Sequence, residues 1–278
     1  MLIREYQMTS AHDHLAEGKM PVLFIGHGSP MNIVLDNRFY RSLAGLGASL
    51  PRPAAILVIS AHWLTDESFV TCTDKPRMIY DFYGFPEDLY REQYECPGAP
   101  SLAWRTVESS GGAIRCNPSL GIDHAAYSIL KYRFPEADIP VFEMSRDYAF
   151  GDRNPKPIAY HYDLAQNLAP LREQGVLIIG SGNIVHNLGL VDFADMDAAP
   201  PGWAVEADMW MRDRIAAGEH RELFTWEGGG AASRAVPTLD HYLPMIYALA
   251  LKEDGEKVRF TFEGFQNGSI SMRSFRIG

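Results

Sequence analysis

The chain has 278 residues, 46% of them hydrophobic and 22% charged, a balance that supports a globular core without disulfides or a structural metal. Twenty-five Lys and Arg against 35 Asp and Glu leave a net charge of −10, which argues against a nucleic-acid or anionic-membrane partner, since both need a basic face. No run approaches the ~18 apolar residues of a membrane span. Residues 1–20 are polar, carry His12 and His14, and read as an N-terminal extension rather than a signal peptide, ahead of one domain over 21–278.

In chain order, residues 21–25, 54–60, 139–144 and 175–179 are short runs rich in Val, Ile, Leu and Phe, bounded by turn residues. Continuous rather than alternating apolarity predicts strands covered on both faces, as in a parallel sheet. Helical patterns fall at 37–48, 99–110, 124–133, 157–171, 203–217 and 239–252. At the end of the chain, 258–265 and 269–276 read as two strands joined by Gln266-Asn267-Gly268, a hairpin signal. The expected fold is therefore α/β: a central mixed, mostly parallel sheet flanked by helices, in a single domain. The stretches 198–202 and 228–232 read as surface loops. Cys72, Cys96 and Cys116 form no C-x-x-C pair and read as free thiols in a reducing, cytoplasmic setting.

Nine histidines punctuate this pattern. His12, His14, His161 and His220 sit in polar surroundings and read as surface or structural. His27 follows the first apolar strand inside Gly26-His27-Gly28-Ser29-Pro30. His62 follows the second inside Ser60-Ala61-His62-Trp63. His186 follows the strand at 175–179, after Gly180-Ser181-Gly182-Asn183-Ile184-Val185. The carboxyl ends of strands in an open parallel sheet line one rim, where ligands bind, so distant positions can close into one site. The flanking glycines are expected to let the backbone turn sharply and expose the imidazoles. His124 opens a helical pattern with Asp123 as a candidate cap. His241 lies in Pro237-Thr238-Leu239-Asp240-His241-Tyr242-Leu243-Pro244, where Thr238 or Asp240 can start the last helix.

Imidazole suits Zn, Fe, Cu and Ni alike, so the histidines predict a metal without choosing it. The cysteines lack structural-zinc spacing. There is no His-Glu-x-x-His helix and no G-x-S-x-G elbow. Gly26-x-Gly28 lacks the third glycine of a dinucleotide fingerprint, and Gly228-Gly229-Gly230 lacks the Lys-Ser/Thr of a phosphate loop.

Five motifs in order, Gly26-His27-Gly28-Ser29-Pro30, Ser60-Ala61-His62-Trp63, Gly121-Ile122-Asp123-His124, Gly182-Asn183-Ile184-Val185-His186-Asn187 and His241-Tyr242-Leu243-Pro244, resemble the class III extradiol dioxygenases, within them the DOPA 4,5-dioxygenase-like branch. The resemblance implies Fe(II) for activity, with Zn(II) able to occupy the site. It implies a catechol substrate and dioxygen as partners. His27 and His62 match the two firmest metal ligands. The third is open between His241, which is preferred, and Asp240. His186 matches either an extra ligand or the acid/base, and His124 a histidine that bonds to substrate or to dioxygen-derived groups. The aromatic loop 81–86, with Trp63, is expected as a substrate wall or as a packed loop. A zinc hydrolase on the same histidines and a non-enzymatic binding protein on the same fold are the competing readings. Neither the particular catechol nor the oligomeric state is legible.

Overall fold

The computed structural model describes residues 18–46, 50–148, 156–225 and 230–278. Most of the N-terminal extension, with His12 and His14, lies outside the described residues, as do the end of the helix expected at 37–48 and Gly228 and Gly229. The first apolar run forms β1 (Val22–Gly26). Helix α1 (Arg38–Leu46) follows, then the long strand β2 (Ala55–Thr65). Strand β3 (Ser68–Thr71), the short helix α2 (Glu87–Tyr90), helix α3 (Pro100–Ser109) and strand β4 (Ile114–Asn117) lead to α4 (His124–Arg133) and β5 (Val141–Asp147). Next come α5 (Ile158–Ala165), α6 (Ala169–Glu173), β6 (Val176–Gly182), α7 (Gly202–Ala217), α8 (Ala231–Ala235) and α9 (Leu243–Ala250). The chain closes with β7 (Val258–Phe262), β8 (Phe265–Gln266), β9 (Ile270–Ser271) and β10 (Ser274–Ile277).

The main sheet has eight strands in the order β4-β3-β5-β2-β6-β1-β10-β7. Its centre, β5-β2-β6-β1, is parallel, and β10 and β7 join antiparallel at one edge. This is the mixed, mostly parallel α/β sheet with flanking helices that the apolar runs predict. Burial on both faces explains those runs. Val22, Phe24, Leu57, Ile59 and Ile178 pack into one core with α5, α7 and α9. Their alternates Leu23, Ile25, Ile56, Val58, Leu177 and Ile179 pack into a second with α1 and α4. Period-two alternation sends neighbours to opposite faces, and here both faces are dry.

Several expectations are corrected. Residues 157–171 do not make one helix: a 3-10 turn at Gln166–Leu168 separates α5 from α6, where Pro170 has no N–H to continue the ladder. The last helix starts only at Leu243, with Pro244 in its first turn, and neither Thr238 nor Asp240 caps it. The C-terminal hairpin turns through Asn267 and Gly268, both at positive φ, as Asn-Gly predicts, but its arms break at Gly264 (φ 152°) into separate pairs, β8–β9 and β7–β10. Strands β3 and β4 are only four residues each, with two apolar residues apiece, too few to mark them in the sequence. Their parallel pairing brings Cys72 and Cys116 together, and the two form a disulfide with Cα atoms 5.7 Å apart, so only Cys96 is a free thiol. Residues that close are legible only once two strands, 44 residues apart, are known to pair. Part of 228–232 is helical, in α8. His161 and His220 are buried rather than in polar surroundings: His161 Nδ1 sits 3.0 Å from the Tyr247 hydroxyl and His220 Nδ1 3.2 Å from that of Tyr162. Among the described residues no helix is long and apolar enough to cross a membrane.

The glycines ahead of His186 also act otherwise than expected. Gly180 and Gly182 lie within β6, and α9 and its approach press directly on them. A Cβ on Gly182 would run into the carbonyl oxygen of His241, and one on Gly180 into that of Pro244. Gly182→Ala is therefore expected to destabilise the protein by about 1–3 kcal/mol in urea unfolding, the usual cost of overpacking. Gly202→Ala, at the open first position of α7 with nothing within 4 Å of its Cβ, is expected to be neutral or slightly stabilising in the same assay.

Candidate metal centre

The sheet register puts three strand ends at one level. Gly26 pairs with Gly182, Ile25 with Ser181, and Ser60 with Ser181. His27, one residue beyond β1, His62, two beyond Ser60, and His186, four beyond β6, are thus delivered to one rim. His62 does not follow its strand, as expected, but lies within β2, where the pairing with β5 shifts between Ile59 and Leu64. That irregularity lets the strand run on past the rim while its histidine turns into the site. Two further elements close the ring. Asp123 caps α4, accepting from the backbone N–H groups of Ala125 and Ala126, and this seats His124 as the first helical residue. The segment before α9 packs against β6, with Asn183 N–H donating to the His241 carbonyl at 2.9 Å.

All five histidines line one cavity of about 630 Å³. The ring centroids of His27 lie 5.3 Å from those of both His62 and His241, and His62 stands 4.1 Å from His124. His186 stacks on His241 at 3.5 Å. Contrary to expectation, His27 is not exposed: although Gly28 turns at φ 65°, the side chain is 2% accessible.

Hydrogen bonds set the tautomers. The Ser181 hydroxyl donates its proton to the Ala125 carbonyl at 2.7 Å, so at 3.0 Å from His27 Nδ1 it must accept. His27 therefore carries its proton on Nδ1 and has a bare lone pair on Nε2. His62 Nδ1 lies 3.2 Å from Asp81 Oδ2, within ion-pair reach of the carboxylate. The two Nε2 atoms are 3.3 Å apart, close enough to share either one proton or one cation. His241 completes the set: its Nδ1 is 2.5 Å from Asp240 Oδ2, and its ligating atom lies within 4.8 Å of those of His27 and His62. Three imidazoles so arranged suit a divalent metal, each with an outer acceptor on its second nitrogen. Asp240 engages the His241 ring through Oδ2, and of the two it is His241 that groups with His27 and His62, while Asp240 groups with His186 and His241.

Electrostatics favour neutral rings at His27, His62 and His186. Burial, followed by the neighbouring histidines, holds the pKa of His27 and of His62 well below the usual imidazole value. Burial does the same for His186, with His241 adding to it and Asp240 opposing. Burial pushes the Asp81 and Asp240 carboxyls up, but hydrogen bonds from His124 and His241 outweigh it and hold both below the carboxylate range. Asp81 joins two rings, for Oδ2 also accepts from His124 Nδ1 at 2.8 Å while Oδ1 takes the His124 backbone N–H at 3.0 Å.

Sequence reasoning missed most of this supporting layer. Arg146, fully buried on β5, donates from Nε to the Ser60 carbonyl at 2.6 Å and from Nη1 to the Asp240 carbonyl. One guanidinium thereby ties the strand bearing His62 to the segment bearing His241. The buried Glu143 accepts the Asp123 N–H at 2.9 Å, and burial beside Asp123 raises its pKa well above the carboxylate range. Ser60 donates to Asp123 at 2.5 Å. Charged residues within a buried strand, as Glu143 and Arg146 are within Val141–Asp147, are the signal in the sequence for such a layer. Of the expected aromatic wall, Phe82, Tyr83 and Phe85 line the cavity, whereas Trp63 does not, because the residue after His62 points to the opposite side of the strand.

Comparison with known proteins agrees with this geometry. The family described as the catalytic LigB subunit of aromatic ring-opening dioxygenase matches residues 21–273. The chain is 38% identical to a 4,5-DOPA dioxygenase extradiol of Escherichia coli (strain K12), over 95% of this chain and 97% of that one. It is 34% identical to a 4,5-DOPA dioxygenase extradiol of Beta vulgaris, over 91% and 95%. A crystal structure of an uncharacterized protein from Escherichia coli K12 superposes with a TM-score of 0.79 at 35% identity, covering 94% of this chain and all of that one. Family and histidine cluster together imply a metal site, and the chain belongs to the LigB family of extradiol aromatic ring-opening dioxygenases.

Proposed function

We propose that the protein cleaves the ring of a catechol with dioxygen, in the extradiol manner, using Fe(II) held by His27, His62 and His241. The observation that carries this reading is the grouping of three imidazoles, with the Nε2 atoms of His27 and His62 at 3.3 Å and the His241 ring beside them. Fe(II), when bound, would supply the redox chemistry between a catechol and dioxygen. Zn(II) fits the same donors but carries no electrons between them. Residues 21–278 form the catalytic unit in this reading, with 1–20 as an extension.

The chain's own residues supply the proton traffic. His186, neutral through burial, would take a proton from one catechol hydroxyl and return it as the carbon–carbon bond beside that hydroxyl breaks. His124, its Nδ1 tied to Asp81, presents Nε2 to the cavity as the second candidate for that role. Both oxygen atoms enter the product. Phe82, edge-on to His124 at 5.5 Å, gives the substrate ring an aromatic wall.

The direct test is anaerobic loading with Fe(II), then oxygen uptake and absorbance scans over a catechol panel, with zinc-loaded protein as control. Iron-dependent uptake with a new yellow product is expected; no uptake at verified iron occupancy would remove the proposal. His27→Ala and His62→Ala should lose the metal by elemental analysis. His186→Ala and His124→Ala should retain most of it while turnover falls ~10²–10⁴-fold, the usual worth of an acid/base group. Ser181→Ala and Asp81→Asn remove acceptors behind His27 and His62 and should weaken metal affinity by about 10–100-fold in a chelator competition.

A further inference from the structure

We propose that the substrate is a catechol whose ring substituent is uncharged and apolar, an alkyl or aryl chain, rather than an amino acid. This rests on the ring-cleavage reading and names the substrate class of that site.

Among the described residues, the three most exposed large hydrophobic side chains are Tyr83 (89%), Phe193 (74%) and Leu188 (54%). All three line the histidine cavity. Exposed apolar groups scattered singly need no explanation, but their concentration at one cavity marks a surface that an apolar ligand covers. The lips bearing them are braced. Asn187 accepts from the Gly189 N–H at 3.1 Å and donates to the Arg234 carbonyl at 2.7 Å. Asp192 and Asn267 exchange two hydrogen bonds, Asp192 N–H to the Asn267 carbonyl at 3.0 Å and Asn267 Nδ2 to the Asp192 carbonyl at 2.8 Å. On the opposite lip Phe82 packs on Phe85 at 5.6 Å and on Tyr90 at 5.0 Å. A preformed apolar mouth loses little order on binding, so burial there converts to affinity.

Volume and charge point the same way. A cavity of about 630 Å³ lies in the range that encloses drug-sized ligands, and a bare dihydroxybenzene fills only part of it. Beyond the histidines, the described lining groups are apolar or neutral polar, apart from Asp81. Asp81 is already committed to His62 and His124. A carboxylate on the substrate would leave water to lie among apolar lips, which is costly without a partner. An alkyl chain gains from the same walls.

The test uses the full chain loaded with Fe(II) and the series catechol, 4-methyl-, 4-butyl- and 4-hexylcatechol, 3-(3,4-dihydroxyphenyl)propanoate and L-DOPA. The kcat/KM values are expected to rise about two- to fourfold per methylene until the chain reaches solvent. 4-Butylcatechol should exceed the propanoate and L-DOPA by about tenfold or more. Calorimetric Kd values on zinc-loaded protein, which does not turn over, should follow the same order with a negative heat-capacity change. Phe193→Arg, or Leu188→Arg as a second variant, sets a cation on the lip and should move the propanoate-to-butylcatechol ratio at least about tenfold toward the propanoate. If catechols are cleaved but L-DOPA or the propanoate is preferred and chain length brings no gain, the side-chain inference is overturned while ring cleavage stands. If no catechol is cleaved, the ring-cleavage reading falls and takes this inference with it.

Discussion

Imidazoles packed this closely around one cavity depend on acceptors for their buried N–H groups. Most of what surrounds the site answers that demand. Ser181, Asp81 and Asp240 take the Nδ1 sides of His27, of His62 and His124, and of His241. Each acceptor is fixed in turn: Ser181 through its donation to the Ala125 carbonyl, Asp81 by the His124 backbone N–H, and the chain at Asp240 by Arg146. Desolvation then works for the site, because it keeps His27 and His62 unprotonated and so able to serve as ligands to a cation.

The sheet makes such an arrangement affordable. Parallel pairing of β5, β2, β6 and β1 sets one rim, so His27 and His186 need only a short step beyond the ladder and His62 sits within it. Apolar side chains on both faces hold that register, since a slip of one residue would exchange the contents of the two cores. Close approach of the His241 segment to Gly182 sets the remaining distance. Stability and site geometry therefore rest on the same contacts, and a change in β6 disturbs both.

Outside the inner ring the cavity changes character. Its inner end is polar, hydrogen-bonded and buried, whereas its lips carry the most exposed apolar groups among the described residues. The inner end suits a reaction common to the family. The lips sit on the loops 81–86 and 187–193, which hang from the sheet without shaping it and can differ between relatives that keep the chemistry.

The sequence by itself determined the strands of the parallel core, the helices at 100–109, 124–133 and 202–217, and the five histidines that meet. Those features are local: a buried strand needs a continuous apolar run, a cap needs an aspartate at a helix start, and a site in such a sheet needs polar residues just past strand ends. Tertiary structure alone decided the rest. Asp81 meets His124 across 43 residues, Ser181 meets His27 across 154, and Arg146 reaches Asp240 across 94. The Cys72–Cys116 disulfide depends on a strand pair that no apolar run announces, and the glycines of β6 owe their identity to a helix approach rather than a turn. Such partners satisfy one another through space, and nothing in the spacing of residues along the chain records which buried proton faces which acceptor.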